Sequence, residues 1–167
     1  MSSRTRGVAT WSGRSGSALV SLLLVACSGG DVQVDSPDVS AADAAACESV
    51  LDALPDRLAD HEEREVRPDG ALARAYGDPA IVVVCGVGEP EGFDVGSACE
   101  EANGVGWYFP ESQFDDQDAD IVLTAVDHTP RMQVLVPGDY RPEGVAAVLA
   151  QLAGPVGDHL EKTGDCV

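Results

Sequence analysis

The spacing of apolar positions changes several times along the chain, and each change predicts an element. Residues 18–26, ALVSLLLVA, form a continuous apolar run after the basic, polar stretch MSSRTRGVATWSGRSGS. The run is far shorter than the roughly 20 residues of a membrane-crossing helix, and no later segment is long and apolar enough to span. From Ser40, with Asp43 three residues on as a capping box, Cys47, Val50, Leu51 and Leu54 recur at helical spacing until Pro55 stops them. This predicts a first helix with Cys47 on its buried face. Residues 57–65 are charged and read as a solvated connection entering a short strand near residues 65–67, and residues 73–79 read as a turn. The β-branched run at residues 80–85 predicts a central strand covered on both faces. A looped segment runs to Cys99. Residues 105–109 predict a strand with Val105, Trp107 and Phe109 on one face and Tyr108 opposite, toward the surface. Residues 121–126 and 132–136 flank a long turn at 127–131, a β-hairpin pattern closed by Pro137-Gly138. Glu143, after Pro142, opens a last helix with the apolar stripe Val145, Val148, Leu149, Leu152, Val156 and Leu160, which Gly154-Pro155 is expected to kink or divide.

Helix, about four strands with hairpin-type connections, then helix is an order that disfavours a parallel doubly wound sheet. It predicts an α+β domain: a small antiparallel sheet of about four strands, with the N- and C-terminal helices packed on one face. The basic start, brief apolar run and small residue before Cys27 are the parts of a secretory signal. Leu24-Val25-Ala26-Cys27 resembles the lipobox of bacterial lipoproteins, in which the Cys thiol takes a diacylglyceryl group before cleavage. Arg4 and Arg6 are not adjacent, which gives a twin-arginine route little support. The expected organisation is therefore a signal peptide over residues 1–26, a lipidated Cys27 with a flexible tether over 27–40, and a single domain over 41–167. The expected location is the extracytoplasmic face of the cell membrane, held by lipid.

Cysteine usage extends this picture. Assigning Cys27 to lipid leaves Cys47, Cys85, Cys99 and Cys166, an even number suited to an oxidising compartment. Of the three possible pairings the spacing favours Cys85–Cys99, across a turn-rich loop, and Cys47–Cys166, tying the domain's start to its end. On the chain-entropy model these loops contribute about 3 and about 4–5 kcal/mol. The long spacings lack the close Cys pairs of zinc sites.

Charge narrows the partners. Arg4, Arg6 and Arg14 precede residue 27 and no acid does, so the mature chain keeps 7 basic against 29 acidic side chains, a net charge of −22. Such a chain repels nucleic acid and anionic surfaces and suits cations or basic partners. No cofactor is expected. Gly86-Val87-Gly88 follows a strand, but the third glycine of a dinucleotide loop is misplaced and Pro90 and Gly92 forbid an opening helix. Asp116, Asp118 and Asp120 alternate like the first calcium ligands of an EF-hand. Ile121 and Asp127, however, stand where that loop needs Gly and Glu, so a solvated acidic turn is the better reading. His61, His128 and His159 are scattered, and no Gly-x-Ser-x-Gly elbow exists. In Trp107-Tyr108-Phe109, core packing is the better use for Trp107 and Phe109. No catalytic residue emerges. The expected role is a non-catalytic module that meets a protein or envelope ligand. The alternative is an envelope enzyme acting on wall material through paired carboxylates.

Several blocks together resemble an actinobacterial lipoprotein family, the domain-of-unknown-function family numbered 3515. They are Cys47-x-x-x-Leu51-x-x-x-Pro55, Tyr76-Gly77-Asp78-Pro79-Ala80-Ile81 running into Cys85-Gly86-Val87, Asn103-Gly104-Val105-Gly106-Trp107, and Val134-Leu135-Val136-Pro137. Tyr76 stands where that family carries Trp. The resemblance covers the chain from about Cys47 to Leu160 and implies a location and an architecture, with no activity attached.

Overall fold

Residues 30–94, 96–141 and 143–164 are described in the structure, a computed structural model; the expected signal peptide, Cys27 and Cys166 lie outside the described residues. The described chain is bonded to the domain almost from its start. β1 (Val32–Gln33) runs parallel to β4 (Val66–Arg67), and Val32 and Val34 N–H donate to the carbonyls of Glu65 and Arg67 at 2.8 and 2.9 Å. Arg67 pairs with Asp31, and Leu72 N–H donates to Ser36 Oγ. Val39 packs over Gly86, where φ is 90° and an added Cβ would stand 2.7 Å from Val39 Cγ1. Residues 31–40, expected as a flexible tether, are thus seated on the domain. The backbone of Val32 and Val34 finds partners along β4, and Val39 fills the notch that a side chain at position 86 would close.

α1 (Ala41–Asp52) begins as its capping box predicts. Ser40 is extended, its Oγ accepts from Asp43 N–H, and Cys47, Val50 and Leu51 are buried. The charged stretch that follows is a hairpin rather than a connection. β2 (Arg57–Leu58) and β3 (His61–Arg64) pair antiparallel around Ala59 and Asp60, both at positive φ as a two-residue turn requires. β5 (Ala73–Tyr76) occupies most of the expected turn, because Ala75 and Tyr76 are buried in the sheet; the reversal is confined to Gly77–Ala80. β6 (Ile81–Val87) buries Ile81, Val83 and Cys85 fully, whereas Val82 and Val84 stay half-buried, so one face is covered more deeply than the other.

β7 (Glu100–Ala102) and β8 (Val105–Tyr108) form a hairpin around Asn103-Gly104, with both turn residues at positive φ. β9 (Ile121–Ala125) and β11 (Arg131–Val136) pair antiparallel, as the apolar runs predict. The intervening turn holds a further short strand, β10 (His128–Thr129), which pairs with β12 (Glu161–Lys162) after the last helix. α2 (Glu143–His159) is one helix that runs through Pro155 undivided. Leu152, Ala153 and Val156, buried on either side of the proline, hold both turns to the same core.

The main sheet has eight strands in the order β2-β3-β5-β6-β11-β9-β8-β7, with every neighbouring pair antiparallel. This is twice the expected number, because the short strands of the charged hairpin and of the Asn-Gly hairpin extend it at both edges. The two helices pack against each other, α1 against β6 and α2 against β7, β8 and β11. The core between helices and sheet is built on Ile81, Val83, Leu123, Val134, Trp107 and Leu152. Tyr108 is buried rather than surface-facing, because Phe93 from the preceding loop sets its ring edge-on at 5.1 Å.

The disulfide pairing differs from the expectation. Cys47 on α1 is bonded to Cys85 on β6 with Cα atoms 5.4 Å apart, which excludes both Cys85–Cys99 and Cys47–Cys166. The spacing of Cys85 and Cys99 favoured a local loop, but packing α1 onto the central strand brings Cys47 to Cys85 first. It is the one disulfide with both partners among the described residues; Cys99 is also disulfide-bonded. Among the described residues no helix is long and apolar enough to cross a membrane.

Candidate binding groove

Two concavities contrast in their lining. The larger, about 450 Å3, lies along β3, β4 and β5 and is walled by Glu63, Arg64, Glu65, Asp69 and Arg74. Its two guanidiniums are already paired. Arg74 pairs with Asp52 at 2.8 Å and Glu63 at 3.2 Å, and Arg64 lies 3.5 Å from Asp78 while donating to Gly77 O.

The smaller, about 330 Å3, opens between β7, β9, α2 and the segment 109–117 that follows β8 and is largely carbon, with walls of Phe109, Phe114, Ile121, Leu123, Val145 and Leu149. Ile121, Leu123 and Leu149 form a buried floor, whereas Phe114 is 51% exposed, the one exposed large hydrophobic among the described residues. Phe114 meets Phe109 edge to face at 4.9 Å.

The wall that bears Phe114 is a short 3-10 turn, residues Glu111–Phe114, held from two sides. Val122 N–H donates to Gln113 Oε1 at 2.8 Å. Arg141 donates to the carbonyls of Gln113, Asp116 and Ala119 at 2.9–3.1 Å and to Gln117 Oε1 at 3.4 Å. Its guanidinium is therefore turned onto the loop as a clamp. Gly138 lets that loop approach: an added Cβ there would stand 1.9 Å from Asp118 O, and Gly138 N–H donates to Asp120 Oδ1. Glu100 and Glu101, on the edge strand β7, close the remaining side and have no ion-pair partner among the described residues. Strand alternation puts Glu100, opposite Trp107, on the helix-covered face and Glu101 on the other, so the two carboxylates do not face each other as a catalytic pair.

The residues singled out in the sequence fall elsewhere. Cys85 and Gly86 are occupied by the disulfide and by Val39. Asp116 and Asp120 cap backbone N–H groups of Asp118 and Gly138, a turn that serves the groove loop. Among the described residues no group of three His, Cys, Asp or Glu side chains is placed to hold a metal ion. His61 stacks on Tyr140 at 4.1 Å, and His159 Nδ1 lies 2.9 Å from Ser49 Oγ, joining the two helices.

His128 was scattered in sequence yet is part of a buried pair: its Nδ1 lies 2.7 Å from Asp127 Oδ1, while Asp127 Oδ2 accepts from Gly106 N–H at 2.9 Å. Thr163 N–H donates to Asp127 O, so this pair fastens the end of β12 to β8. Two phenols are perturbed, both chiefly by burial. Tyr76, with Glu63 adding to the effect, is pushed up to about 12; Tyr140, whose hydroxyl donates to Pro79 O, is raised.

One family model, described as a protein of unknown function (DUF3515), matches residues 7–164. The chain belongs to this family. No curated protein and no solved structure matches it. In this DUF3515 chain Gly86 of the Cys-Gly block is the seat of Val39, and the Asn103-Gly104 block is the turn that brings β7 to the groove. Sequence reasoning missed the groove because its walls come from four separate elements. The nearest available signals were the Asn-Gly hairpin dipeptide and an apolar Phe114 standing alone among acids.

Proposed function

We propose that this DUF3515 chain is a lipoprotein held through Cys27 on the extracytoplasmic face of the cell membrane, and that it is a non-catalytic module binding an envelope ligand in the Phe109–Phe114 groove. The observation that carries the binding reading is Phe114. A half-exposed aromatic ring stands on a wall braced by Arg141 and Gln113, over a floor of buried aliphatic carbons. The free protein gains little from fixing such a ring in water, whereas a preformed apolar concavity with a few polar groups at its rim suits a ligand. Paired-carboxylate hydrolysis is disfavoured because Glu100 and Glu101 lie on opposite faces of the strand.

The anchoring half of the proposal rests on Leu24-Val25-Ala26-Cys27 and on the apolar run before it. With Cys27 acylated, Ser28 and Gly29 alone separate it from Gly30, about 10 Å of chain at full extension. The domain then rides close to the bilayer, with β1 and β4 as its membrane-side end.

The two halves are tested separately. Cys27→Ser should move the protein out of the membrane fraction and abolish incorporation of labelled palmitate; palmitate retained by the variant overturns the anchor. N-phenylnaphthylamine, a neutral apolar fluorophore, should brighten with the wild-type protein. Ala146→Trp, which fills the groove from α2, should remove that signal. Equal brightening in the two proteins overturns the groove.

A further inference from the structure

We infer that the ligand of this groove is a cationic amphiphile: a small molecule with an apolar body and an amine or quaternary ammonium head. The inference rests on the groove being the binding site and assigns the chemistry of its occupant. Glu100 and Glu101 at the rim have no basic partner among the described residues. Among the described residues the only cation lining the groove, Arg141, has its donors directed at the carbonyls of Gln113, Asp116 and Ala119 and so offers no anion site. An anionic head would meet the Glu100 carboxylate with nothing to offset it, and Glu101 on the strand's other face adds to the repulsion; an ammonium would meet Glu100 favourably.

The aromatic wall points the same way. The edge-to-face Phe109–Phe114 pair leaves Phe114 half exposed at the groove, and ring faces attract ammonium groups. The floor of Ile121, Leu123 and Leu149 then takes the apolar body, and a volume of about 330 Å3 suits a chain of octyl size. The chain's strongly acidic balance raises the local concentration of such cations.

Calorimetry on the Cys27→Ser protein with octyltrimethylammonium, octyl glucoside and octyl sulfate, each below its micelle concentration, tests this. The expected order is ammonium about tenfold tighter than glucoside, with sulfate weakest, and the preference shrinking as salt is raised. Glu100→Gln with Glu101→Gln should erase the preference without weakening the glucoside. Asp158→Asn with Glu161→Gln, acids outside the groove, should leave it intact. Phe114→Ala should weaken the ammonium most. Ammonium and glucoside binding equally, or a preference that survives the Glu100/Glu101 variant, overturns the cationic assignment while leaving the groove. Absence of binding by all the octyl compounds overturns the groove itself.

Discussion

At the β2–β5 end of the molecule Arg57, Arg64, Arg67 and Arg74 each face a carboxylate: Glu62, Asp78, Asp31 with Asp69, and Asp52 with Glu63. At the β7–β9 end Glu100 and Glu101 face none among the described residues, and the nearest guanidinium is turned onto backbone carbonyls. Exposed ion pairs contribute only about 0–1 kcal/mol each, so concentrating scarce cations at one end does little for stability. It does fix the path of residues 31–34 and the charged hairpin, and it leaves the other end acidic, apolar and open. The compensated end carries the N-terminal segment; the uncompensated end carries the groove.

Four measurements would break or sharpen this contrast. The largest effect is expected where the compensated half is stapled. Cys47→Ala with Cys85→Ala removes a link spanning 38 positions and should cost about 4 kcal/mol in urea unfolding; a loss under about 1 kcal/mol would show that the helix-to-sheet packing alone holds α1. The groove half has a polar fastening instead. Asp127→Ala leaves Gly106 N–H and buried His128 without their shared acceptor and should cost about 3 kcal/mol, with faster amide exchange at Gly106 and Thr163. Unchanged exchange at both amides would detach this pair from β12.

The third measurement is alkaline. In the folded protein Tyr76 is raised to about 12 by burial and by Glu63, against about 10 unfolded. Above pH 10 the unfolded chain therefore releases a proton that the folded chain keeps. Stability present below pH 10 should fall by up to about 2 kcal/mol as pH rises to 12. Tyr76→Phe should flatten that fall, measured as urea midpoints across the window; an equally steep fall in the variant would remove Tyr76 as its source. The smallest stability effect belongs to the groove. Phe114→Ala, at a half-exposed ring, should shift stability by less than about 1 kcal/mol while abolishing fluorophore binding. A core-sized loss would make Phe114 a packing residue and end the contrast.

Much of the fold was legible because periodicity reports burial. The Ser40 cap with Cys47, Val50 and Leu51 read as a helix on the correct face, and residues 80–85, 121–126 and 132–136 read as strands. Misreadings came where burial depends on partners far along the chain. Ala73–Tyr76 reads as a turn until β6 lies beside it, and His61–Arg64 reads as solvated until β5 supplies its ladder. Tyr108 alternates outward and is buried with Phe93 and Gly92 of the preceding loop folded back against it.

The candidate site was scarcely legible, since Phe114, Glu100, Leu123 and Leu149 share no local pattern. What the sequence by itself determined is the family, the strongly acidic balance, the two helices on an antiparallel sheet, and the grounds for expecting export. Those follow from composition, motif and period, which are local. The Cys47–Cys85 pairing, the seating of residues 31–40, the buried Asp127–His128 pair and the braced apolar groove were decided by tertiary structure alone. Each depends on which distant surfaces the packed core brings within a few ångströms, and no spacing along the chain encodes that distance.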